Sequence, residues 1–127
     1  MSYLKLSPEY GCSPLWNSLD GKIYSNLDID SSPFDEVLKS RLFDWAKNFE
    51  TTLNQDYPPD SGFKTIVDEQ AFETNGATIW KDILKHYSNL YKQVLFRSNF
   101  LNKLYSNLDE YENELKNSLK TSPERPS

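Results

Sequence analysis

The chain has 127 residues, 37% hydrophobic and 14% aromatic, with 19 acidic side chains against 14 basic ones for a net charge of −5. That is enough chain to bury one core and too much aromatic content for a disordered one. It holds no run of the roughly 18–20 apolar residues that a membrane helix needs, and no basic footprint for neutralising phosphates.

Tyr3 to Ser7 alternates, with Leu4 and Leu6 on one side, and predicts a short strand ended by Pro8. The N-terminus lacks the apolar run of a secretory signal. The single cysteine, Cys12, allows no internal disulfide, so the expected setting is the cytoplasm. Residues 8–33 are rich in Pro, Gly, Ser, Asn and Asp and read as an ordered but irregular connection, with a short extended piece at Ile23-Tyr24. A loop this long inside a compact domain is often functional. It contains SPEYGCSPLW, in which Gly11 permits a turn, Pro8 and Pro14 stiffen it, and Tyr10, Cys12 and Trp16 are expected to pin it against helices.

The segment SSPFDEV opens a helix over about 33–54, with Ser32 as cap, Pro33 at the first helical position and Asp35 in the first turn. Its stripe is Phe34, Leu38, Leu42, Trp45, Phe49 and Leu53, and Pro58-Pro59 cannot continue it. A second helix spans about 66–88, with Thr65 and Asp68 at capping-box spacing and Phe72, Gly76, Ile79, Trp80, Ile83 and Tyr87 on one face. A glycine inside a helix costs about 1 kcal/mol against alanine. Gly76 on the apolar face therefore predicts the close approach of another backbone, that of the first helix.

LYKQVLFRS (90–98) reads as a strand pairing with the N-terminal one. Leu101, Leu104, Leu108, Tyr111 and Leu115 predict an amphipathic helix over about 99–120, and TSPERPS (121–127) a disordered tail. The tetrapeptide YSNL occurs at 24, 87 and 105 in unrelated contexts and marks no repeat. The expected fold is α+β, one domain over 1–120. A small antiparallel sheet of the two strands packs on two antiparallel helices, with the C-terminal helix appended.

Cysteine catalysis needs a neighbouring base, and the one histidine, His86, sits where a helix C-terminus favours a cation. Cys12 is accordingly expected to pack rather than react. One Cys and one His cannot build a structural zinc site. Asp28 and Asp30 match the first two ligands of a calcium loop, but Lys39 stands where the closing glutamate belongs. No catalytic residue, metal or cofactor is predicted.

Residues 20–60 carry nine acids against four bases, which favours a basic partner or simply a solvated acidic surface. In TLNQDYPPDSGF (52–63), two prolines and Ser61-Gly62 make a rigid loop presenting Asp56, Tyr57, Asp60 and Phe63. Tyr57 and Phe63 could equally staple that loop to the core. With Asp28 and Asp30 these are the candidate partner-binding residues. Two other readings stay open: a small hydrolase using carboxylates of the 8–33 loop, and a dimeric scaffold using the C-terminal stripe.

Three segments together carry a resemblance: LSPEYGCSPLW, then LFDWAKNFETTLNQDYPPDSGF, then AFETNGATIWKDI. The shared positions include Tyr10, Gly11, Cys12, Trp16, Trp45, Gly62 and Phe63, and the likeness covers residues 3–97. The chain resembles small acidic bacterial immunity proteins of contact-dependent growth inhibition and related polymorphic toxin systems. The resemblance implies a cytoplasmic antidote, not an enzyme, that binds a toxin domain and neutralises it. A monomer acting on a basic nuclease-type toxin is the expectation, with the motif residues holding the fold. The predicted C-terminal helix lies beyond the resemblance.

Overall fold

The computed structural model describes residues 1–121; apart from Thr121, the expected tail lies outside the described residues. The strands are β1 (Ser2–Leu6), β2 (Leu15–Ser18), β3 (Ser25–Leu27), β4 (Tyr91–Ser98) and β5 (Lys103–Tyr105). The helices are α1 (Glu36–Glu50), α2 (Ile66–Tyr87) and α3 (Leu108–Thr121). The strands form one mixed sheet in the order β3-β2-β1-β4-β5. This is an α+β fold, as the sequence predicts.

The sheet departs from expectation in two ways. It is not wholly antiparallel, because β1 and β4 run parallel, Leu4 opposite Val94 and Leu6 opposite Phe96. The helical connection between them is long enough for a crossover, which a parallel pair requires. It also has three unforeseen strands. The 8–33 segment folds into β2 and β3, Leu15 opposite Leu27, and part of the expected last helix is β5, Tyr105 opposite Phe96.

All three helices lie on one face of the sheet, since Phe96 meets Trp45 of α1, Trp80 of α2 and Tyr111 of α3. The α1 cap is Asp35, whose carboxylate accepts from the Leu38 N–H at 2.8 Å. Ser32 does not cap it; its hydroxyl closes a preceding 3-10 turn onto the Ile29 carbonyl. The α2 cap is Thr65, as predicted, accepting from the Asp68 N–H. The two helices are antiparallel. Asp35 meets Tyr87, Arg41 meets Asp82, Phe49 meets Phe72, and a Cβ on Gly76 would fall 2.5 Å from the Trp45 ring. Gly76 thus makes room for the indole of α1, not for its backbone.

Most of the C-terminal stripe is consumed inside the chain: Tyr111 is buried and Leu101, Leu108 and Leu115 pack on the core, while Leu104 stays 43% exposed. Little of the face that the scaffold reading needs is left free. Burial first, then a hydrogen bond to Glu114, pushes the Tyr105 phenol above its usual range; burial first, then Glu73, does the same to Tyr111. Unfolded tyrosine ionises near pH 10. These phenols therefore stabilise the fold in full below about pH 10, and the contribution is lost as pH rises beyond it. On alkaline titration, part of the phenolate absorbance should appear only together with cooperative loss of near-ultraviolet dichroism. One smooth titration near pH 10 with the fold intact would contradict this.

Candidate functional site

The motif turn after β1 is clamped to the end of α1. The Ser7 N–H donates to the Pro14 carbonyl and closes the loop, while Gly11, at φ 73°, offers its N–H to the Glu50 carboxylate. The Tyr10 ring stacks on Phe49 at 4.5 Å and its hydroxyl meets that of Thr52. Trp16 behaves differently from expectation. Its indole N–H donates to the Ser7 carbonyl, but its register partner is Lys5, which alternates with the buried Leu4 and Leu6. Trp16 therefore lies on the sheet face turned away from the helices.

A 3-10 turn, Ile29–Ser31, follows β3 and sinks Ile29 into the core, which leaves Asp28 and Asp30 exposed on either side of it. Together with Cys12, Phe43 and Glu50 they line a groove of about 370 Å³. Phe43 is 49% exposed, being off the buried Leu38–Leu42–Trp45 stripe of α1. Exposed aromatics framed by polar side chains are the usual anchors of protein interfaces.

A second groove of about 640 Å³ lies at the same end of α1, lined by Asn48, Thr52, Asp60, Phe63, Asp68 and Asn75 among others. Its outer wall is the loop between α1 and α2. Asn54 accepts there from the Asp56 and Tyr57 N–H groups, and the Gly62 N–H donates to the Thr52 carbonyl. Asp56 and Tyr57 stand exposed on that loop. Phe63 packs at a tilt against Phe72 with centroids 5.0 Å apart, so its ring is largely committed to the core. Gly62, at φ 148°, supplies a backbone conformation that other residues rarely adopt.

The two grooves bring together Asp28, Asp30, Glu50, Asp60 and Asp68 with one base, Lys64. The carbonyl end of α1 adds partial negative charge. Of the residues lining these grooves, the sequence singled out Asp28, Asp30, Asp60 and Phe63 as candidates and did not single out Phe43, Glu50 or Asp68. The missed signal at Phe43 was an aromatic off the apolar stripe of its own helix.

Cys12 is half-buried in the wall of the first groove. His86 is exposed in the last turn of α2, near Glu36 at the opposite end of α1. The 15 residues of α1, at about 1.5 Å each, separate them by roughly 20 Å. No Cys–His pair forms. Cys12→Ser should cost about 1 kcal/mol or less and leave partner binding largely intact; loss of binding in a fully folded variant would return the thiol to the account.

Among the described residues no helix is long and apolar enough to cross a membrane. Residues 2–99 match the sequence model of a family described as Serratia CdiI immunity protein-like. β5 and α3 lie beyond the matched segment. No curated protein matches the chain.

Proposed function

The chain belongs to the Serratia CdiI immunity protein-like family, and from that membership we propose that it binds a basic nuclease-type toxin domain in the cytoplasm and neutralises it by covering its active site. The observation that carries the proposal is the exposed Phe43 set among Asp28, Asp30 and Glu50, beside the turn at residues 11–13 within the matched segment. A nuclease presents cationic side chains where it holds phosphates. An acidic groove opposes that face directly, which speeds encounter and fixes register, while Phe43 supplies the desolvated anchor.

The loop acids Asp56 and Asp60 and the exposed Tyr57 extend the same surface past the second groove. Because Asn54 and Gly62 already tie that loop down, little entropy is lost when a partner lands on it. The protein acts as an inhibitor rather than an enzyme in this reading. Of the carboxylates of residues 8–33 on which the hydrolase alternative would draw, Glu9, Asp28 and Asp30 are exposed, and Asp20 is engaged in its own turn by the Lys22 and Ile23 N–H groups.

The test uses a cognate toxin domain, to be sought among the products of the neighbouring genes. Asp28→Lys with Asp30→Lys should slow association by about tenfold or more at low salt and flatten its ionic-strength dependence. Phe43→Ala should instead raise the dissociation rate, with a loss of about 2 kcal/mol or more in binding. Unchanged kinetics in both variants, with the fold intact, would remove this groove from the interface.

A further inference from the structure

The helices cover one face of the sheet and leave the other open. Leu4, Leu6, Val94 and Phe96 point to the helices, so their neighbours Tyr3, Lys5, Leu95 and Arg97 point away. By register Trp16 joins Lys5, and Leu104 joins Arg97, on that open face. The Lys5 ammonium sits 4.6 Å from the centre of the Tyr24 ring and 5.6 Å from Trp16; that of Lys92 sits 5.9 Å from Tyr3. Arg97 donates to the Asn102 side chain. Among the described residues none of these three cations forms an ion pair.

At one edge the β2–β3 turn projects Leu19 and Ile23, 87% and 77% exposed. That tip is rigid. Asp20 accepts from the Ser18 hydroxyl and from two turn N–H groups, and Gly21 sits against the Tyr3 ring, where a Cβ would come within 3.1 Å. The acid of the tip is exposed, but its carboxylate is engaged by the hydroxyl and N–H groups of its own turn, and Lys5, Lys92 and Arg97 leave the face cationic in balance.

We propose that this open face is a second interface, shaped for an acidic protein segment that carries apolar side chains. Unpaired cations over aromatic rings suit carboxylates, and a rigid aliphatic pair suits apolar side chains at little entropic cost. Two copies meeting face to face would oppose like charges. Nucleic acid fits less well, because base stacking would have to displace the lysines from the rings and leaves Leu19 and Ile23 without a use. The face lies opposite the helices, so the inference stands independently of the toxin-binding groove.

The test titrates the isotope-labelled full chain with a random glutamate–tyrosine copolymer at low salt. Trp45 and Trp80 are 2% and 0% exposed, which leaves the half-buried Trp16 as the fluorescent reporter of this face. Amide shifts should concentrate in β1, Leu19–Ile23 and Lys92–Arg97, with a change in Trp16 emission. Lys5→Glu with Lys92→Glu should weaken binding about tenfold or more, and Leu19→Ser with Ile23→Ser should weaken it independently of salt. These variants should keep capture of the toxin domain, which separates the two interfaces. Shifts on the helical side, indifference to Lys5 and Lys92, or tighter binding of a single-stranded oligonucleotide than of the copolymer would each overturn the proposal.

Discussion

Replacing Trp45 with alanine is expected to destabilise the protein by about 3–5 kcal/mol, a large part of the roughly 5–15 kcal/mol that domains typically possess. The ring is 2% exposed, stacked on Phe72 at 4.8 Å, and its N–H donates to the Phe72 carbonyl at 3.0 Å. Truncation therefore opens a cavity at the α1–α2 contact and removes the second hydrogen bond of a buried helical carbonyl. Gly76 gives a sharper check through a change of sign. Gly76→Ala alone places a methyl 2.5 Å from a ring that cannot move aside, and overpacking of about 1–3 kcal/mol should outweigh or cancel the helix-propensity gain of about 1 kcal/mol. In the Trp45→Ala background the clash is gone, and the same substitution should stabilise. Urea unfolding of the four proteins measures this coupling; strict additivity would contradict it.

Glu73→Ala is expected to cost on the order of 3 kcal/mol or more. This side chain is 3% exposed within α2 and accepts three hydrogen bonds: from the Ser98 hydroxyl, the Tyr111 hydroxyl and the Phe100 N–H. Removing it strands all three donors in partly or fully buried positions, at about 1–3 kcal/mol each before relaxation. The three come from β4, the turn after it and α3, so the loss falls on the segment beyond residue 99. Limited proteolysis should cut first between β4 and α3, ahead of global unfolding. Tyr111→Phe should cost less, since it removes one donor and leaves the others paired. An unaltered midpoint for Glu73→Ala would show that the network does not anchor α3.

The contrast between these two residues shows what the sequence makes legible. Trp45 and Gly76 announce themselves through helical periodicity and through a glycine placed where alanine would be better. Glu73 reads as a surface acid, although it falls one turn before Ala77 and two before Trp80 on the buried side of α2. Only its partners, set by a turn 25 residues away, reveal its role. The short strands were illegible for a related reason. YSNL enters β3 at 24, runs from the end of α2 into a 3-10 turn at 87, and links β5 to α3 at 105. Four residues cannot specify a conformation that pairing with distant strands decides. The direction of β4 is likewise a property of the crossover, not of its own residues. At the site, clustered acids were visible, but their convergence on Phe43 required the motif turn to dock on α1.

The most direct measurement of the central claim is the hydrogen-exchange footprint that a cognate toxin domain, sought among the products of the neighbouring genes, leaves on the full chain. The account predicts a stable complex with exchange slowed at residues 11–13, 28–31 and 43–52, extending into 54–62, and little change in β1 and β4. Protection confined to the open sheet face, or no complex between the two proteins, would contradict it.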